Sequence, residues 1–162
     1  MALAPDRYKR MLRQEIAPAL RDLGMTGSSA NFVLPDPDHY LLVGFQGSRS
    51  NTAAGARFTV NLAVISKAAW RERWRPWWGK PSATVQGPVG TYMRLGELMP
   101  KHDDVWWGLT PDSGTATLAA EVVQAVQQFG LPWLSQVRHW RNGASLPVSC
   151  SGPLWDIEDC GG

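Results

Sequence analysis

The side chains with the widest chemical reach in this chain are three histidines and two cysteines, and their spacing argues against catalysis. His39 follows a proline turn, His102 falls in a loop and His139 lies beyond the last strong helical pattern. A helical metal pair needs imidazoles one turn apart, at i and i+4, and no such pair occurs. Cys150 with His139 would supply a nucleophile and a base. Both lie in or beside an irregular C-terminal stretch, where the sub-ångström positioning that catalysis needs is hardest to hold. Cys150 and Cys160 alone lack the ligand number that zinc requires, and both are expected to be free thiols. No G-x-S-x-G elbow and no glycine-rich phosphate loop is present; "GPVG" (87 to 90) has no following lysine. The expectation is a chain with no metal and no cofactor, in which a non-catalytic reading is favoured and an enzyme built on Asn61, Arg94 and a histidine is kept as a third hypothesis.

Binding chemistry is better represented. Gln46, Ser48, Arg57, Thr59, Asn61 and Arg94 occupy alternate positions of strand-like segments and could share one sheet face. Arg94 carries a planar fork suited to carboxylate or phosphate, with pairing to Asp103 or Asp104 as the alternative use. Asn61 interrupts a strong strand at a place where a β-branched or aromatic side chain is normally preferred. Nine tryptophans include the doublet of "DDVWWGL". Neighbours in a strand point to opposite faces, so only one of Trp106 and Trp107 can enter the core. The other is expected to lie on the outer face, covered by "WRERWRPWWGK" (70 to 80) folding over the sheet as a second, minor core. Left uncovered, those residues make an aromatic and arginine-bearing surface of the kind that anchors protein interfaces. The candidate binding surface is therefore Gln46, Arg57, Asn61, Arg94, Trp106 and Trp107.

The elements that must position these residues follow from hydrophobic period. Leu12, Ile16, Leu20 and Leu23 make one stripe of a helix over 5 to 23, with Pro18 expected to kink or split it and Gly24 to stop it. Strands are expected over 30 to 34, 39 to 48 and 57 to 65, with the first two joined by the "PDPD" turn. In the third, Phe58, Val60, Leu62 and Val64 face the core, and Arg57, Thr59, Asn61 and Ala63 face away. Short connections imply an antiparallel meander, half buried and half exposed. A short tryptophan-rich helix or turn (67 to 80) and a loop (80 to 90) precede two further strand candidates, "TYMRLGEL" and "DDVWWGL". Leu118, Val122, Ala125, Val126 and Phe129 stripe a helix that Gly130 is expected to end, with a short helix over 131 to 140. The fold class is α+β: an antiparallel sheet of about five strands with the N-terminal helix and a long C-terminal helix on one face. One domain spans 1–142, and 143–162 is an irregular Gly/Pro/Ser-rich tail anchored by Leu154 and Trp155.

At 162 residues, 44% hydrophobic and 19% charged, the composition is that of a folded globular chain. The formal net charge of +2 is too small for a protein built around a nucleic-acid backbone. No apolar run reads as a leader or a membrane span, and a cytoplasmic location is expected.

The run "LRDLGMTGSSANF", then "FQGSRSN", "ARFTVNLAV", "MRLGELMP" leading into "DDVWWGL", and "FGLPWL" after a long helix resembles bacterial domain-of-unknown-function family 4304, over about residues 8 to 140. Its most specific elements are "RFTVNL" and an Arg-x-Gly strand followed by the double tryptophan. The resemblance implies a stand-alone α+β domain without assigned catalytic residues. The tail beyond 140 lies outside the pattern, and the 70 to 80 segment is heavier in tryptophan than the family pattern. Together these features lead to a non-catalytic protein-binding module, of the immunity or antitoxin type, whose partner is another protein. Single-stranded nucleic-acid binding through the aromatic and arginine-bearing face is the alternative.

Overall fold

A computed structural model describes residues 3–141. The expected C-terminal tail, with Leu154, Trp155, Cys150 and Cys160, lies outside the described residues. The helical N-terminus runs as α1 (Ala4–Met11), a π-helical segment (Leu12–Ile16) and α2 (Ala17–Asp22). Pro18 neither breaks nor splits it. Ala17 N–H reaches back five residues to the Leu12 carbonyl, so the wide turn sits where Pro18 lacks a donor and crowds the preceding turn. Gly24, at φ 91°, then stops the helix as expected. Its N–H bonds the Arg21 carbonyl while Met25 N–H bonds that of Leu20, the pair of bonds that defines a Schellman cap.

The sheet has six strands: β1 (Thr26–Ser28), β2 (Asn31–Leu34), β3 (His39–Gly47), β4 (Ala56–Ser66), β5 (Thr91–Arg94) and β6 (Trp107–Leu109). All pairings are antiparallel in the order β1-β2-β3-β4-β5, with β6 also on β4. β5 pairs residues 61 to 64 of β4, and β6 pairs residues 56 to 58 further along the same strand. β1 was not anticipated. Its turn places Ser29 at φ 57°, where a hairpin normally carries glycine, asparagine or aspartate, so the usual turn signal is missing. "TYMRLGEL" is only half strand: after Arg94 the chain turns into α4 (Leu95–Leu98). Gly96 permits this, since a Cβ there would lie 2.4 Å from the Asp103 carbonyl and 2.5 Å from Val105 N.

Leu41, Val43 and Phe45 of β3 and Phe58, Val60, Leu62 and Val64 of β4 form the main core with Met11, Ile16 and Leu20. The C-terminal helix covers the same face as α5 (Ala116–Ala125), a π-helical segment (Val126–Gly130) and α6 (Leu131–Arg141). Gly130 does not end it. Leu131 N–H bonds the Val126 carbonyl immediately before Pro132, repeating the device used before Pro18. Gly130 is buried, and a Cβ there would meet Leu62 and Leu95 in ordinary van der Waals contact at 3.5 Å, so the packing of helix on sheet leaves room for a methyl group.

The opposite sheet face is less exposed than its polar residues suggest. α3 (Lys67–Arg73), N-capped by Ser66, packs Trp70 into a second cluster with Leu42, Ala63, Ile65 and Ala83. Ala63 is consequently buried, and Thr59 and Asn61 on the same face are buried as well.

Candidate functional site

Pairing register assembles the site. Gly44, Asn61 and Arg94 are direct cross-strand partners on β3, β4 and β5, so they form one row on the outer face. Gln46 is opposite Thr59 in the next row. Gly44 has no side chain, and the loop after α3 drops into that space; a Cβ on Gly44 would lie 2.8 Å from the Thr84 methyl. The loop is pinned by Tyr92, whose hydroxyl accepts from Gly87 N at 2.8 Å and donates to the Val89 carbonyl at 3.3 Å. What remains is an open cleft of about 440 Å³ lined by Gln46, Asn61, Thr84, Tyr92, Arg94 and Glu97, with Gln86 and Met93 also on its walls.

Its floor is a pair of amides. Asn61 Nδ2 donates to Gln46 Oε1 at 3.0 Å. Asn61 is 8% exposed, and the Gln46 amide N–H groups and Asn61 Oδ1 have no further partner among the described residues. At the rim, Arg94 Nη1 donates to Asp104 Oδ1 at 2.7 Å, and Trp106 Nε1 donates to Asp104 Oδ2 at 3.0 Å. The Arg94 guanidinium also lies over the Trp106 ring, 5.3 Å from its centroid. Arg94's charge is thus largely answered within the fold, and the Glu97 carboxylate has no ion-pair partner among the described residues.

Of the six expected surface residues, Gln46, Asn61 and Arg94 line the cleft and Trp106 borders it. Trp107 does not belong to the outer face: it is the core member of the doublet, stacked on Phe58 with centroids 5.9 Å apart. Nor is Trp106 covered by the 70 to 80 segment. It is half-buried beside Arg94 and Asp104, because the loop before β6 is held to the sheet by Thr59 Oγ1 donating to the Val105 carbonyl at 2.8 Å. Arg57 lies apart at the β6 end of β4, exposed beside Asn51 and Gly108. Thr84, Gln86, Tyr92 and Glu97 escaped the sequence reading, since only the pinned loop and the turn into α4 bring them to the sheet. The 70 to 80 segment divides: Trp70 is buried, whereas Trp74 and Trp77 are 45% and 76% exposed among arginines.

The histidines do not join this site. His102 N–H bonds the Met99 carbonyl and its ring contacts the Glu97 carbonyl, while His139 is exposed on α6. His39 is buried against Asp36, with Nδ1 to Oδ2 at 3.3 Å. Burial opposes ionisation of Asp36. Hydrogen bonds from the Arg138 guanidinium (2.9 Å), the backbone of Asp38 and His39, and the His39 ring outweigh it and hold the carboxyl below its ordinary range. This cluster fastens the "PDPD" turn to α6. Among the described residues, no three His, Cys, Asp or Glu side chains gather as metal ligands would, and no helix is long and apolar enough to cross a membrane.

Fold and site together define a small α+β domain with its N- and C-terminal helices on one sheet face and α3 and an open polar cleft on the other. The chain belongs to the family described as Domain of unknown function (DUF4304), whose pattern matches residues 16–136. No curated protein and no solved structure matches the chain.

Proposed function

We propose that this domain is a non-catalytic protein-binding module that meets its partner with the outer face of the sheet, centred on the cleft. The observation that carries this reading is the convergence of Gln46, Asn61 and Arg94 from three adjacent strands on one open cleft. The exposed Trp74 and Trp77, interleaved with Arg71, Arg73 and Arg75, add side chains that contribute disproportionately to protein interfaces. An immunity- or antitoxin-type protein, whose task is to occupy another protein, is the form of module such a face fits. The test is a photo-crosslinking residue at Gln86, on the cleft wall, compared with one at Gln128, exposed on the helical face. One discrete protein adduct from position 86 and none from 128 is expected in native cells. Equal adducts from both positions, or none from 86, would refute the reading.

The exposed Trp74 and Trp77 with their arginines also favour a second reading, single-stranded nucleic-acid binding by base stacking and phosphate contact. It requires a gel shift with mixed oligonucleotides that weakens with salt and is lost in Trp77→Ala. An absent or salt-independent shift ends it.

A further inference from the structure

We infer that the cleft receives an arginine side chain of the partner protein, its guanidinium held by the Glu97 carboxylate and the Asn61 side-chain carbonyl. The inference rests on the protein-binding reading and names what that partner must present. Three observations point to a planar cation. The first is charge: of the two ionised groups lining the cleft, Arg94 is paired with Asp104 at 2.7 Å, whereas Glu97 is unpaired among the described residues. An entering anion would meet a guanidinium whose charge Asp104 already answers and face Glu97 as well; an entering cation meets an unanswered carboxylate.

The second is hydrogen-bonding capacity on the floor. Asn61 gives one N–H to Gln46 and keeps its carbonyl oxygen without a donor. The small exposure that Asn61 retains opens onto the cleft it lines. That oxygen is not sealed from solvent, so it is open to an entering donor, and a guanidinium brings several N–H groups in one plane, enough for Asn61 and both Glu97 oxygens. An ammonium is a point charge and fits such spread acceptors less well. The third is shape. Tyr92 contributes an aromatic wall whose hydroxyl is already committed to the loop, leaving its ring as an apolar surface for a flat cation. A cleft of about 440 Å³ admits one such side chain without rearrangement.

The experiment follows the side-chain amide resonances of Asn61 and Gln46 in the ¹⁵N-labelled full chain during titration with N-acetyl-arginine methylamide. The citrulline, lysine and aspartate analogues and free arginine serve as comparators. Expected is a saturable shift of both amides with the arginine probe, about tenfold weaker with neutral citrulline and about tenfold weaker in Glu97→Gln. Glu97 is exposed, so this variant keeps the fold, which the remaining resonances verify. No shift, equal binding of citrulline or lysine, preference for the aspartate probe, or an unchanged Glu97→Gln would overturn the inference. Free arginine bound more tightly than the blocked probe would overturn it too, marking a small-molecule site. A position-86 adduct that persists in Glu97→Gln, with no arginine response, removes the guanidinium and leaves the interface. An arginine response without any adduct removes the interface reading instead.

Discussion

Asn61→Val separates a residue kept for binding from one kept for the fold. Asparagine in the middle of β4 makes a single side-chain hydrogen bond, to Gln46. Losing such a bond costs about 1 kcal/mol net. Gln46 is only half-buried and faces the open cleft, so water replaces the lost partner and no sealed polar group is created. Against this loss, valine in a central strand returns up to about 1 kcal/mol relative to a poor strand former. Removing an amide from a site 8% exposed also relieves roughly 0.5–2 kcal/mol of desolvation. On balance valine is favoured, and stability should fall between about 0.5 kcal/mol below and about 2 kcal/mol above wild type. Urea unfolding followed by tryptophan fluorescence reads the stability, and the arginine-probe titration, followed at the Gln46 amide, reads the site. Unchanged or raised stability with loss of the probe response is expected. A loss of more than about 2 kcal/mol would refute the reasoning, because the amide pair would then be a buried network that specifies the sheet.

Four further perturbations test the frame. Trp107→Ala should cost about 3–5 kcal/mol and Trp106→Ala no more than about 1 kcal/mol in urea unfolding, since one indole is a buried core member and the other borders a half-exposed ion pair. Asp36→Asn tests pH linkage. The folded-state pKa of Asp36 is depressed, so the stability it confers is full above the ordinary value of 3.8 and lost as pH falls through the folded value. The gap between wild type and Asp36→Asn should therefore be flat above that value and close below it; a gap that widens on acidification contradicts the assignment. Gly130→Ala should stabilise by up to about 1 kcal/mol in thermal unfolding, because the helix runs through this position; a loss would mean that a helix stop had been removed. Tyr8→Phe should be neutral or stabilising by about 1 kcal/mol, since the hydroxyl is buried without a hydrogen-bond partner among the described residues.

The strands were legible wherever one face is apolar. Alternation placed Leu41, Val43, Phe45, Phe58, Val60, Leu62 and Val64 on the core side, and the register that follows brought Gln46, Asn61 and Arg94 to one outer face. What stayed hidden depends on contacts between distant segments. Pro18 and Gly130 look like breaks, because a local pattern does not show that a π turn can absorb a proline. "TYMRLGEL" reads as one strand until the Asp103–Val105 backbone meets Gly96. Glu97 and Thr84 carry no period that marks them; their places are set by a loop folded over Gly44 and by the turn after Arg94.

The same contacts commit the most distinctive motif to the fold and leave it little to offer the proposed partner. In "MRLGELMP" and "DDVWWGL", Arg94 and Trp106 both spend donors on the two oxygens of Asp104. Gly96 lets the 103 to 105 backbone approach, Thr59 ties Val105 to β4, and Trp107 stacks in the core. These residues form a clip that fixes one wall of the cleft in position. The proposed partner, entering from solvent, would meet what the clip leaves uncommitted: the Glu97 carboxylate, the free sides of the Asn61–Gln46 amides and the ring of Tyr92. On the proposed function, Arg94 would act on binding by holding the wall, and its loss should weaken recognition together with local order. Glu97, outside the clip, should alter recognition while the clip stays closed.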